Sequence, residues 1–121
     1  MLNIIKYIID ITRVTVGTVY RAYPQKVLRG TDYAVVTPQG YSVESTSSDH
    51  DVLSARLTYG VTIYATSAEK TDEYLEKLTD KLNMVGIQCT STSPSFVADT
   101  GVYSVNAVYS CSVDKRGQIY R

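Results

Sequence analysis

Several residue types that build common functional sites are scarce in this chain of 121 residues. It contains one histidine, two cysteines and no tryptophan, and none of its seven glycines is close to another. A phosphate-binding loop is excluded because it needs clustered glycines, and two cysteines are too few for a disulfide scaffold. Twelve Lys and Arg balance twelve Asp and Glu, so we expect no electrostatic attraction to nucleic acid or to an anionic membrane.

The single histidine and the two cysteines are the remaining candidates for chemistry. His50 lies between Asp49 and Asp51, but a metal site would need these adjacent side chains to converge, and no second histidine adds a ligand. Cys89 and Cys111 fall in predicted strands, where thiols are usually inert, and a Cys–His nucleophile would need His50 beside one of them. We therefore expect no catalytic residue, no metal, no cofactor and no enzymatic activity.

The chain begins with an apolar run, MLNIIKYIIDIT, that is interrupted by Lys6 and Asp10. It is shorter than the ~20 apolar residues of a membrane span and lacks the features of a signal peptide. Its spacing predicts an amphipathic helix from Leu2 to Ile11, and Tyr7 widens the apolar surface beyond one stripe. We therefore expect a cytosolic chain with reduced thiols, whose first helix contacts a second body or a wide sheet.

Two long segments, residues 53–65 and 102–113, alternate between apolar and polar side chains and predict strands with one buried face. A helix is predicted between them from Thr66 to Val85, with Thr66 and Glu69 as a capping box. Gly86 is the residue type that ends such a helix.

The shorter elements are less regular. Residues 33–37 predict a strand that stops at Pro38-Gln39-Gly40, with residues 41–44 as its candidate continuation, and residues 87–90 predict another strand. Residues 13–23 fit a short strand or an extended connection, whereas the polar residues 45–51 and 91–101 predict loops.

This order of elements predicts an α+β fold: a single mixed, mostly antiparallel sheet with two helices packed on one face. The other face is rich in Thr, Ser and Tyr and is available to water or to another subunit. The chain has eleven tyrosines, which suit half-buried strands and protein interfaces. We expect one domain over residues 1–121, a usual domain length.

Two stretches carry a resemblance to a known family. The strand and helix YGVTIYATSAEKTDEYLEKLTDKL and the late strand GVYSVNAVYSCSV resemble the tail terminator and tail-completion proteins of long-tailed bacteriophages. The matching residues are Val61 to Ala65, Glu69, and Gly101 to Val113, whereas Thr62 stands where the family usually has an acidic residue.

The resemblance implies a virion protein of the tail or neck, assembled in the host cytoplasm as a hexameric ring. The ring would cap the tail tube, end tail polymerisation and provide the docking surface for the head. The implied partners are further copies of the chain, the tail tube protein and a head-completion or connector protein. No membrane and no direct nucleic-acid readout are implied.

From this resemblance we expect subunit contacts on the polar loops and on the C-terminal segment, residues 118–121, with the first helix as an alternative. We expect the C-terminal segment to add a strand to the sheet of an adjacent subunit. The predicted interface residues are Ser47, Asp49, His50, Asp51, Pro94, Phe96, Arg116, Ile119, Tyr120 and Arg121.

Two other functions fit the sequence. The first is another head–tail connector, neck or tail-associated protein of a virion. The second, from a different class, is a ferredoxin-like module that binds peptide or RNA, which would need a basic or aromatic sheet face.

Overall fold

A computed structural model of the chain describes residues 4–20, 32–46, 52–97, 102–114 and 119. Of these, residues 42–46, 52–53, 95–97 and 114 are described by their backbone only. Within these residues the chain forms two helices and a five-stranded sheet. In chain order the elements are α1 (Ile4–Val16), β1 (Val19–Tyr20), β2 (Tyr33–Thr46), β3 (Val52–Ala65), α2 (Ala68–Asn83), β4 (Gln88–Val97) and β5 (Val102–Asp114).

Helix α1 is longer than its sequence pattern predicts. It continues past Ile11 to Val16, so the extended connection predicted from Arg13 is wrong for its first residues. In the added part of the helix, Thr12 and Thr15 donate side-chain hydrogen bonds to the carbonyls four residues earlier, at 2.7 Å and 2.9 Å, so both hydroxyls are paired within the helix. The helix ends at Gly17, whose positive φ of 105° suits glycine.

The sheet has the strand order β1-β2-β3-β5-β4. The short strand β1 runs parallel to β2, and every other neighbouring pair is antiparallel. The predicted α+β fold with a mixed, mostly antiparallel sheet is therefore confirmed. The two strands with clear alternation, β3 and β5, form its centre and pair along almost their whole lengths.

Strand β2 passes through the proline that was predicted to stop it. Pro38 pairs with Tyr59, and the register shifts between Pro38 and Gly40, which marks a bulge around Gln39. Proline is tolerated in a strand whose outer side has no hydrogen-bonded neighbour. Among the described residues this condition holds, because β1 pairs with β2 at Ala34 and Val35, before the proline.

Strand β4 replaces most of the loop predicted over residues 91–101. It extends from Gln88 to Val97, and Pro94 pairs with Val105 of β5. The Ser- and Thr-rich sequence shows no apolar alternation because β4 is an edge strand, and Ser91 to Pro94 are exposed. The part of the loop that remains lies largely outside the described residues.

Helix α2 starts one residue later than the capping box predicts. Ser67, in extended backbone conformation, is the N-cap, and its hydroxyl accepts a hydrogen bond from the N–H of Lys70 at 3.2 Å. Thr66 is exposed before the helix. The helix ends at Asn83, and Gly86 follows with a φ of 91°, as expected of a glycine that terminates a helix.

Both helices pack on the same face of the sheet. Their buried side chains join one hydrophobic cluster with the odd-numbered residues of β3 and β5 and the even-numbered residues of β2. The fully buried members from the helices and the turn after α2 are Ile8, Leu78, Leu82 and Ile87. Leu78 and Leu82 lie at helical spacing on the side of α2 that faces the sheet, whereas Ala68 at the start of the helix is exposed.

We expect the Leu82→Ala variant to lose about 2–5 kcal/mol of unfolding free energy, because Leu82 is fully buried and its truncation leaves a cavity. Met84 is 75% exposed two residues later, and we expect Met84→Ala to change stability by less than about 0.5 kcal/mol. Urea unfolding followed by circular dichroism measures both. Equal losses would contradict the burial of this face of α2.

The N-cap assignment has its own test. We expect Ser67→Ala to lower the unfolding free energy by about 1 kcal/mol, since it removes the acceptor for the Lys70 N–H. Thr66→Ala is the matched control and should change stability little. A larger loss for Thr66→Ala would place the cap where the sequence pattern predicts it.

Candidate interaction surfaces

No cluster that could hold a metal ion is present in the described part of the chain, where three or more His, Cys, Asp or Glu side chains nowhere come together. The Asp49–His50–Asp51 segment lies outside the described residues, so the structure does not test a metal site there. No helix in the described ranges is long and apolar enough to cross a membrane.

Both thiols are free, and each lies in a strand as predicted. Cys111 is buried in the core, and this burial raises the pKa of its thiol to about 11, with a smaller opposing effect of the Arg56 charge. Cys89 is half-buried, and its Sγ donates to the carbonyl of Ser91 at 3.6 Å. A thiol with a raised pKa is a poor nucleophile because the thiolate is the reactive form.

Three tyrosine rings contact one another near the start of β2, on the face of the sheet opposite the helices. Tyr33 is fully buried, stacks on Tyr64 with a centroid distance of 4.5 Å and meets Tyr20 edge-on at 5.7 Å. These tyrosines contribute to intramolecular packing. The sequence left open whether such residues serve strands or interfaces, and here they serve the strands.

The same face becomes polar further along the strands. Arg56 donates to the hydroxyl of Ser110 at 2.8 Å, and Thr62 donates to the side-chain oxygen of Asn106 at 3.2 Å. These bonds join β3 to β5 across the face. Arg56 is exposed at the centre of this face. No second positively charged residue lies beside it in the described part of the face, so the face has no basic stripe.

Two side-chain bonds fix α2 to the sheet. The Tyr74 hydroxyl donates to Asp32 Oδ2 at 2.6 Å, and this bond raises the pKa of Tyr74 to about 12. The second bond joins the Thr79 hydroxyl and the hydroxyl of the buried Tyr109, whose oxygens lie 2.8 Å apart. Lys70 Nζ lies 3.7 Å from the same Asp32 oxygen. Because each polar group is paired within the chain, these contacts are structural and do not form a reactive centre.

The outer side of the helix layer carries an apolar surface, which we call the outer helix patch and define as Tyr7, Ile11, Val14 and Lys81. These residues line a shallow depression together with Asp10. Val14 is 79% exposed, and Lys81 Nζ donates to Thr15 at 3.1 Å across the helix pair. The spacing of Tyr7, Ile11 and Val14 is helical, so the broad apolar surface of the first helix was visible in the sequence, although Val14 was not assigned to it.

The two edges of the sheet are a second candidate surface. Strand β4 pairs with β5 on one side, and no described strand lies on its other side. Residues 36–46 of β2 have no described strand beside them on the side away from β3. Open edges present rows of backbone N–H and C=O groups, which readily accept another strand.

The predicted interface residues are only partly placed by the structure. Pro94 is exposed in β4, and Phe96 follows in the same strand, where its backbone pairs with Tyr103. Ile119 is half-buried, packs against the core of its own chain and forms a bridge with Val113. The other seven lie outside the described residues: Ser47, Asp49, His50, Asp51, Arg116, Tyr120 and Arg121.

The edge strands are a surface that the sequence pattern does not predict. Pro94 and Phe96 are predicted in a loop, although a serine- and threonine-rich run with one proline is a weak signal typical of an edge strand. The structure brings Pro94 and Phe96 together on one edge.

A comparison with known proteins gives a fold match. Neither the family models nor the curated proteins match this chain. Among solved structures, a chain of one described as the virion of a native gene transfer agent (GTA) particle has a similar fold, with a TM-score of 0.55 and 18% sequence identity. The likeness covers 85% of this chain and 84% of that chain. At this identity it shows a shared fold.

The environments of the two thiols predict different reactivities toward iodoacetamide at pH 8. With a pKa of about 11, roughly one Cys111 thiol in a thousand is ionised, and the side chain is also buried. We expect the Cys89→Ser variant to resist alkylation while folded and the Cys111→Ser variant to react faster. Both should react fully in 6 M guanidinium, and mass spectrometry counts the adducts. Rapid alkylation of folded Cys89→Ser would overturn this assignment.

Proposed function

We propose that this chain is a structural protein of a phage-like virion, and that it acts as a tail terminator. As a ring it caps the finished tail tube, ends polymerisation and offers a docking surface to the head and neck. The observation that carries the proposal is the fold shared with a chain of a gene transfer agent virion over most of both chains. The order of strand, helix and late strand that resembles the terminator family supports the finer assignment.

The surfaces of the molecule also support a structural role. The polar contacts described above are paired within the chain, whereas the outer helix patch is exposed and two sheet edges have no described strand beside them. Such surfaces suit binding between proteins more than chemistry on a small substrate. We therefore propose that the chain has no enzymatic role, and that residues 1–121 act as one domain.

The ring provides a physical means of ending a polymer. Contacts that differ on the two sides of a subunit generate a closed ring when the rotation between copies is complete. One face of the proposed hexamer binds the last ring of tube protein and leaves no site for a further ring. The opposite face binds a head-completion or connector protein. This assembly takes place in the host cytoplasm, and the protein ends in the virion at the tail or neck.

The ferredoxin-like alternative is not favoured. Its connectivity is β-α-β-β-α-β, whereas in the described part of this chain α1 comes first and three strands precede α2. The remaining alternative is another head–tail connector, neck or tail-associated protein of the virion. Such a protein would occupy a different position in the particle from a tail terminator.

Deletion and labelling of the gene product test the proposal. We expect particles without this protein to carry overlong tails that do not join heads, and the wild-type gene supplied from a plasmid to restore infectivity. Immunogold labelling should mark the junction of tail and head. The purified protein should have a native mass of roughly 80 kDa, as six copies of a 13.4 kDa chain.

Two outcomes would contradict the proposal at different levels. Labelling elsewhere on the particle, with tails of normal length in the deletion, would overturn the terminator assignment. Absence of the protein from purified virions would overturn the structural role itself.

A further inference from the structure

We infer that neighbouring copies of this chain pair edge to edge, with β4 of one copy against residues 36–46 of β2 in the next. A second copy thus occupies each of these two edges, neither of which has a described strand beside it, and the sheets of adjacent subunits form one continuous sheet. This inference rests on the ring assembly proposed above and specifies its subunit contact.

The positions of the two edges carry the inference. The strand order places β4 at one end of the sheet and β2, covered by β1 at Ala34 and Val35 alone among the described residues, near the other end. A contact between opposite ends is heterologous, which is the kind that closes into a ring. Because each copy carries both halves of the contact, no other protein is needed to complete it.

The directions of the strands are also compatible with this contact. From β2 through β3 and β5 to β4, each strand is antiparallel to the one before it. A neighbour related by rotation about an axis along the strands therefore presents β2 antiparallel to β4. This is the more stable ladder per residue, and it continues the pattern of the sheet without interruption.

The two edges carry few of the charges that normally protect an edge strand from pairing. Strand β4, QCTSTSPSFV, contains no charged residue, and residues 36–46 contain Glu44 as their single charge. Natural monomers usually place lysine or other charges on long edges. Each edge has one proline, which donates no N–H, and at least one shift of register, so the contact uses the outward-facing N–H and C=O groups of the remaining residues.

The two edges can be blocked separately. Ser91→Lys with Ser93→Lys adds charge to exposed positions of β4. Gly40→Lys with Tyr41→Lys does the same on β2, where an added Cβ at Gly40 meets Thr58 Cβ at an ordinary 3.7 Å. The control, Asn83→Lys with Glu76→Gln, changes the charge by the same two units on the exposed side of α2.

We expect each blocked variant to fold, by circular dichroism, and to self-associate about 100-fold more weakly than the control. Mixed at equal millimolar concentration, the two blocked variants retain one complementary pair of edges. They should therefore form dimers of roughly 27 kDa in native mass and nothing larger. Dimers in the mixture, but not in either variant alone, are expected only if the contact joins two different edges of the subunit.

Blocked variants that assemble like the control, or a mixture that stays monomeric, would overturn the edge contact. A wild-type protein that is monomeric at millimolar concentration would overturn it as well. The location in the virion is a separate measurement. Labelling at the tail–head junction with failed edge pairing would leave the proposed function intact and refute this contact.

Discussion

The burial of two helices against one face of the sheet is the constraint on which the rest of the structure depends. Ile8, Leu78 and Leu82 are fully buried against a sheet whose odd-numbered β3 and β5 residues face them. Removal of this apolar surface from water is the main favourable contribution to folding. Since both helices occupy the same face, the edges of the sheet and the outside of the helix layer are left for contacts with other molecules.

The sequence predicts the elements whose burial is one-sided and therefore periodic. Strands β3 and β5 alternate because one face meets the helices, and α2 repeats its leucines because one stripe meets the sheet. Strand β4 was predicted only as far as Thr90, because its continuation through the exposed Ser91 to Pro94 has no such contrast between faces. The cap was misplaced by one residue because Thr66 and Ser67 are both good caps, and backbone geometry decides between them.

The candidate surfaces were less predictable than the fold, for a physical reason. A catalytic site reveals itself by residue types, but an open sheet edge consists of backbone groups that every sequence has. Pro94 and Phe96 were selected as loop residues, and the structure gives them a common edge through their strand pairing. What determines that edge is the order of strands, which depends on long-range pairing and not on local pattern.

The hydrogen bond from Tyr74 to Asp32, together with the contact between Thr79 and Tyr109, has a mechanical consequence. The two contacts are more than one helical turn apart along α2, so the helix can neither slide nor rotate on the sheet without breaking one of them. A force applied to the outer side of α2 is therefore shared between the helix and the strands beneath it.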